Sequence, residues 1–202
     1  MQYILVILFS YLFGCSSMSY YISKINKVDM KKKGSKNYGA SNTVALIGWK
    51  AGILVGIHDI GKSVIAVLIA QYFCPDVAYI GVIAGVACIL GHIYPFYLNF
   101  DGGKGFASFV GMILALDWKL FIGLGIMIII ITLVTDYIVL ATMNTIIVTP
   151  IYLGFTQGWT ACAIVLIATI IIIYKHRENL VRIYNGTEHG LRSAHKGEYR
   201  EK

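Results

Sequence analysis

The chain has 202 residues, of which 57% are hydrophobic and only 13% charged, with a formal net charge of +7. A soluble globular domain carries roughly 25% charged residues. Here the deficit runs along the whole length and the mean hydropathy is +0.72, which excludes an ordinary water-soluble domain and predicts an all-α, polytopic membrane protein. The basic excess suits an anionic lipid surface, so the bilayer is the expected partner and nucleic acid is not.

A membrane span needs roughly 20 mostly apolar residues. In chain order the sequence predicts about seven of them, over 3–22, 52–72, 78–98, 105–117, 119–135, 138–156 and 159–175. The fourth is short, so its start is expected inside the membrane after a re-entrant loop. Met1-Gln2 lacks the basic start of a secretory leader, and Lys24, Lys27, Lys31, Lys32 and Lys33 follow the first apolar run. That order predicts a retained first helix with its N-terminus outside. The first internal loop then also holds Lys36 and Lys50, and the second holds Lys104. The C-terminal stretch holds Lys175, Arg177, Arg182, Arg192, Lys196, Arg200 and Lys202, whereas only Lys119 falls in an external loop. One domain over 1–202 is expected, with a cytoplasmic tail from about residue 176. Cys15, Cys74, Cys88 and Cys162 show no metal-ligand spacing and read as small packing residues, so no metal is expected.

Three internal segments carry polar side chains suited to chemistry. The first, Gly34 to Thr43, mixes glycines with hydroxyl and amide groups, a composition for either an anion-binding concavity or a flexible hinge. The second ends in Gly102-Gly103-Lys104-Gly105 just before an apolar helix, which would set amide donors and a cation at a helix N-terminus. It lacks the Walker spacing. In the third, His176 and Asn179 fall one turn apart if the last helix continues beyond the membrane, while Arg177 and Arg182 suit lipid headgroups. Asp59 and Lys62, at i and i+3 within the second span, are expected to pair with each other or serve a site. His58 is expected on another face as a packed, hydrogen-bonded residue, and His189 and His195 in solvent.

Taken together, Gly34-Ser35-x-Asn37-x-Gly39-Ala40-Ser41-Asn42, Asp59-x-x-Lys62, Gly91-His92-x-x-Pro95 with Gly102-Gly103-Lys104-Gly105, His176-Arg177-Glu178-Asn179 and Gly186-Thr187-Glu188 resemble one family. It is the bacterial acyl-phosphate:glycerol-3-phosphate acyltransferases, the PlsY family, over about residues 5–190. The resemblance implies a seven-helix enzyme of the bacterial inner (plasma) membrane with its site facing the cytoplasm. It would move a fatty acyl group from acyl phosphate to the 1-hydroxyl of glycerol 3-phosphate in phospholipid synthesis, without cofactor, metal or coenzyme A. Gly102, Gly103, Lys104 and Gly105 would cradle a phosphate, and Ser35, Asn37 and Asn42 would line the same pocket. His92, His176 and Asn179 would hold the other reactant. A general base drawn from His92 or His176, or from the substrate's own phosphate, is equally allowed.

The pattern departs at named places. The family's first motif usually has Gly where Lys36 stands, Pro where Tyr38 stands and Arg where Ala45 stands. Losing that Arg loses a bidentate phosphate clamp, and Lys36 is expected to restore the charge without the planar geometry. Asp136 stands where the family has Arg, while Thr142 keeps a hydroxyl for substrate. Competing readings are a divergent paralogue acylating another acceptor and a non-catalytic lipid or anion transporter, which should show paired broken helices in two related halves. His-x4-Asp does not occur and there is no cluster of spaced aspartates, which weighs against other phospholipid-forming transferases.

Overall fold

The computed structural model describes residues 1–188, 190 and 192. The expectations for His189, His195, Lys196, Arg200 and Lys202 therefore fall outside the described residues. Every regular element among the described residues is helical, and the chain gathers into two compact units, one of Met1–Leu116 and one starting at Asp117.

The first unit begins with a span that is broken in the middle. Helix α1 covers Gln2–Gly14 and α2 covers Met18–Ile25. At the break the Ser17 hydroxyl accepts the Tyr20 amide at 3.3 Å, a side-chain cap that restarts the helix. After a basic loop come α3, Ala40–Leu46, and α4, Trp49–Phe73. Helix α5, Ile80–Ile93, leads through a 3₁₀ turn at Phe96–Leu98 to α6, Phe106–Leu116. Helix α5 is the centre of this unit and packs on α1, α4 and α6. Its approach to α1 is a backbone contact: a Cβ on Gly14 would strike the Cys88 carbonyl, and one on Gly91 the Tyr11 carbonyl. Small residues permit that approach in lipid, where helix association depends on packing rather than on burial from water.

In the second unit α7 covers Trp118–Thr135, α8 Ile138–Gln157 and α9 Trp159–Tyr184. Asp117 caps α7, accepting the Lys119 and Leu120 amides at 2.9 and 3.0 Å and the Tyr152 hydroxyl at 2.7 Å. The Tyr152 hydrogen bond, then the amides, hold the Asp117 carboxyl below its usual range. Pro150 lies inside α8 and cannot donate to the carbonyl four residues back, Ile146. The Thr169 hydroxyl of α9 donates to that carbonyl at 3.0 Å, so the missing helix bond becomes a bond between helices.

Among the described residues, six helical segments are long and apolar enough to cross a bilayer: Gln2–Ile25, Trp49–Phe73, Ile80–Leu98, Trp118–Thr135, Ile138–Gln157 and Trp159–Tyr184. The fourth of the seven predicted spans is the 11-residue α6, too short to cross alone. The protein is a polytopic, all-helical integral membrane protein.

Candidate active site

The basic loop of the first unit is a built structure. Met30, set among lysines, is wholly buried, with its sulfur 3.3 Å from the Ser19 hydroxyl. Asn42, on α3, is 2% exposed and commits its amide to the loop backbone. Its Oδ1 accepts the Ser35 amide at 2.9 Å, and its Nδ2 donates to the Met30 and Asn37 carbonyls at 3.2 and 2.9 Å. Asn37 in turn donates to the Ser35 carbonyl at 2.8 Å and the Ser35 hydroxyl at 2.9 Å. Ser35, Asn37 and Asn42 are thus joined, as the sequence groups them. Asn42 shapes the loop, and both N–H groups of its side chain are committed to loop carbonyls. Lys36 is exposed and has a left-handed backbone, φ 53°, a conformation that costs a non-glycine residue about 1 kcal/mol.

This loop is tied to the Gly102–Gly105 segment. The Tyr38 amide donates to the Gly102 carbonyl at 3.3 Å, which a proline at 38 could not do, and Lys31 pairs with Asp101 at 2.6 Å. The Tyr38 ring packs edge-on against Tyr20 with Lys31 over its face. Burial, then the nearby Asp29, raise its hydroxyl pKa. Desolvation works against the charged form of Asp29, but the Lys31 amide and the Lys32 side chain outweigh it and lower that carboxyl.

The Gly102 and Gly103 amides do not face a ligand: they donate to the Ile93 and His92 carbonyls at 2.9 and 3.1 Å. Their contribution is space. A Cβ on Gly103 would collide with Nε2 of His92, so only glycine lets the Nε2–Cε1 edge of the ring come this close to the backbone. Lys104 is half-buried, and the first turn of α6, whose amides lack intrahelical partners, begins two residues later.

Behind this loop lies a cluster that the sequence only half discloses. Asp59, Lys62 and His92 are 2%, 3% and 5% exposed, so three polar side chains meet inside the unit. Lys62 Nζ is 3.0 Å from Asp59 Oδ1, 2.9 Å from His92 Nδ1 and 2.7 Å from the Ser16 carbonyl. The expected Asp59–Lys62 pair is present. His92 and the carbonyl exposed by the α1–α2 break complete it, and the signal for the latter was the pair Ser16-Ser17 inside an apolar run. His58 is packed and hydrogen-bonded, 3.1 Å from the Ser16 hydroxyl, but it does not turn away from its neighbour: its Nδ1 lies 3.3 Å from Asp59 Oδ1.

In the second unit α9 does continue, to Tyr184, and His176 and Asn179 are both buried one turn apart. His176 Nδ1 donates to the Ile172 carbonyl at 2.9 Å, so in the neutral ring Nε2 is the acceptor. After α9 the chain turns at Gly186 and brings back Glu188, which was not singled out as a functional residue. Glu188 accepts Asn179 Nδ2 at 2.5 Å and Arg182 Nε at 2.6 Å, fixing the Asn179 amide. Arg182 therefore has a protein partner besides any headgroup. Thr142 is buried and its hydroxyl donates to the Ile138 carbonyl at 3.0 Å. Asp136 caps α7 and accepts the Arg192 amide at 2.9 Å, so its reversed charge is matched by a basic residue of the C-terminal stretch.

Comparison with known proteins reaches the same pattern. The family profile described as glycerol-3-phosphate acyltransferase matches residues 4–186. "Glycerol-3-phosphate acyltransferase 1" of Oceanobacillus iheyensis is 37% identical over 96% of this chain and 97% of its own. "Glycerol-3-phosphate acyltransferase" of Prochlorococcus marinus strain MIT 9215 is 40% identical over 92% and 95%. Among solved structures, PlsY (YgiH), an integral membrane glycerol 3-phosphate acyltransferase, in its glycerol 3-phosphate form superimposes with a TM-score of 0.88 at 30% identity, covering 95% of this chain and 96% of that one. Its lysophosphatidic acid form gives 0.84 over 94% and 95%. With a profile match over residues 4–186, relatives of this identity and a shared fold, the chain belongs to the glycerol-3-phosphate acyltransferase family.

Proposed function

We propose that this protein transfers a fatty acyl group from acyl phosphate to the 1-hydroxyl of glycerol 3-phosphate, releasing inorganic phosphate and forming lysophosphatidic acid. The observation that carries the reading is the Gly102–Gly105 loop, with Lys104 at the foot of α6 and the buried His92 ring against Gly103. The hydroxyl oxygen attacks the acyl carbonyl carbon, the bond from that carbon to the phosphate oxygen breaks, and the hydroxyl proton ends on the phosphate. Acyl phosphate already has a good leaving group, so no protein nucleophile is required. Lys104 and the first-turn amides of α6 stabilise phosphoryl charge, and Ser35, Asn37 and Asn42 hold the loop beside them. Gly102 and Gly103 let the loop close against Pro95 and the His92 ring, and Gly105 takes the positive φ of 94° that leads into α6. The family resemblance gives Thr142, His176 and Asn179 of the second unit a part in the same reaction, and the bond from His176 Nδ1 to the Ile172 carbonyl makes Nε2 the ring nitrogen that can accept a proton.

The single functional domain lies in a bacterial plasma membrane with this face toward the cytoplasm. The support for that orientation is the placement of Lys and Arg along the sequence.

The deciding assay gives the purified protein in detergent palmitoyl phosphate and glycerol 3-phosphate and follows phosphate release and lysophosphatidic acid. Turnover with acyl phosphate, and none with acyl-coenzyme A or acyl carrier protein, is expected. Turnover with coenzyme A thioesters alone would reject the donor, and no product from any donor would reject the activity.

Lys36 supplies charge in the loop where the family pattern has an Arg at the position of Ala45. Lys36→Gln keeps the backbone constraint and removes only the charge. KM for glycerol 3-phosphate is expected to rise about fivefold, the equivalent of roughly 1 kcal/mol, with kcat little changed. An unaltered KM would show that Lys36 does not compensate.

A further inference from the structure

We propose that Lys62, held by Asp59 and by the Ser16 carbonyl, is a positioning residue that locks His92 as an Nε2–H hydrogen-bond donor facing the Gly102–Gly105 loop. The assignment rests on the proposed acyl transfer for its purpose and on the buried geometry for its substance.

An ammonium group has three N–H donors and no acceptor. Around Lys62 Nζ stand three acceptors at hydrogen-bond distance, the Ser16 carbonyl at 2.7 Å, His92 Nδ1 at 2.9 Å and Asp59 Oδ1 at 3.0 Å. Each N–H has one partner, so Nδ1 accepts a hydrogen bond from Lys62 rather than donating one. The alternative would have Nδ1–H donate to Asp59 Oδ1, which is farther, at 3.4 Å, and would leave an ammonium N–H pointing at a ring N–H. Asp59 is already served by Lys62 and by His58 Nδ1 at 3.3 Å. With Asp59 charged, Lys62 charged and the ring neutral, the cluster carries no net charge, the least costly state for a group buried in a membrane span.

A neutral imidazole whose Nδ1 accepts must carry its proton on Nε2. That nitrogen is the one lying against Gly103. His92 therefore offers a donor to a phosphoryl oxygen in the loop and cannot take a proton from the attacking hydroxyl. The two histidines of the proposed machinery are held in opposite tautomers, because His176 donates from Nδ1 to the Ile172 carbonyl.

The test is ¹⁵N NMR of histidine-labelled protein in detergent at alkaline pH, with the His92 signals identified by their loss in His92→Gln. An Nε2-protonated ring in the wild type is expected, and an Nδ1-protonated ring would overturn the assignment whatever the activity. In Lys62→Met the proton is expected to move to Nδ1, facing the released Asp59, with turnover falling at least about tenfold. An unchanged tautomer and rate would reject the role of Lys62. Should Lys62→Met fail to fold, His92→Gln against His92→Ala decides instead, since a glutamine amide supplies a donor near Nε2 but no base. Activity within about tenfold of wild type in the glutamine variant, with alanine far lower, supports the donor; equal losses of about a hundredfold or more indicate a base. A wild type inactive toward acyl phosphate would reject the proposed activity, while the spectrum would still decide the tautomer.

Discussion

Replacing Lys104 by alanine is expected to lower turnover by about a hundredfold or more, close to 3 kcal/mol of transition-state stabilisation. Lys104 stands just before α6, where in the proposed mechanism its charge and the first-turn amides act together on a phosphoryl group that gains charge as it departs. Such a group binds the ground state as well, so kcat and kcat/KM should both fall, kcat/KM the more. His176→Ala should give a loss of the same order if, as proposed, the ring fixed by the Ile172 carbonyl accepts the hydroxyl proton as the transition state forms. Lys119→Ala removes a lysine at the start of α7, outside the proposed machinery, and should leave the rate unchanged. Steady-state kinetics on the three variants, with thermal melts to confirm folding, check the set. A Lys104→Ala enzyme within a few-fold of wild type would remove the loop from the mechanism.

Gly103→Ala should be nearly as damaging through a single methyl group. The added carbon would occupy the place of His92 Nε2, and the ring cannot swing aside because Lys62 and Asp59 hold its far edge. The loop must move instead, and a misplacement of about 1 Å near reacting atoms lowers rates about a hundredfold. The accompanying overpacking should cost about 1–3 kcal/mol of stability. Activity and melting temperature measured on the same preparation separate the two effects. Wild-type turnover in Gly103→Ala would show that the ring and the loop have slack between them.

Much of the architecture could be read from hydropathy because lipid imposes a length on every span. The expected stretches 119–135 and 138–156 differ from α7 and α8 by one residue at an end. The features that escaped are those set by local hydrogen bonding instead of by apolarity. The break at Cys15–Ser17 lies within a stretch hydropathy reads as one span, marked only by the Ser16-Ser17 pair, and α9 continues to Tyr184 through charged residues that hydropathy assigns to a tail. At the site, the Asp59–Lys62 pair was legible because i and i+3 share a helix face. Its partners Ser16 and His92 lie 46 and 30 positions from Lys62, beyond any periodicity. Met30 shows the same limit: nothing in a lysine-rich segment marks one methionine as the anchor that gives the loop its shape.

The interrupted first span also bears on how the protein is made. Lys62 enters the bilayer with its counter-charge Asp59 on the same segment, but its two other hydrogen-bonding partners arrive on segments made before and after it. A nascent α4 therefore carries an ion pair whose remaining hydrogen bonds only the neighbouring segments can supply. The full set of hydrogen bonds around Lys62 thus forms only once the first three spans lie together.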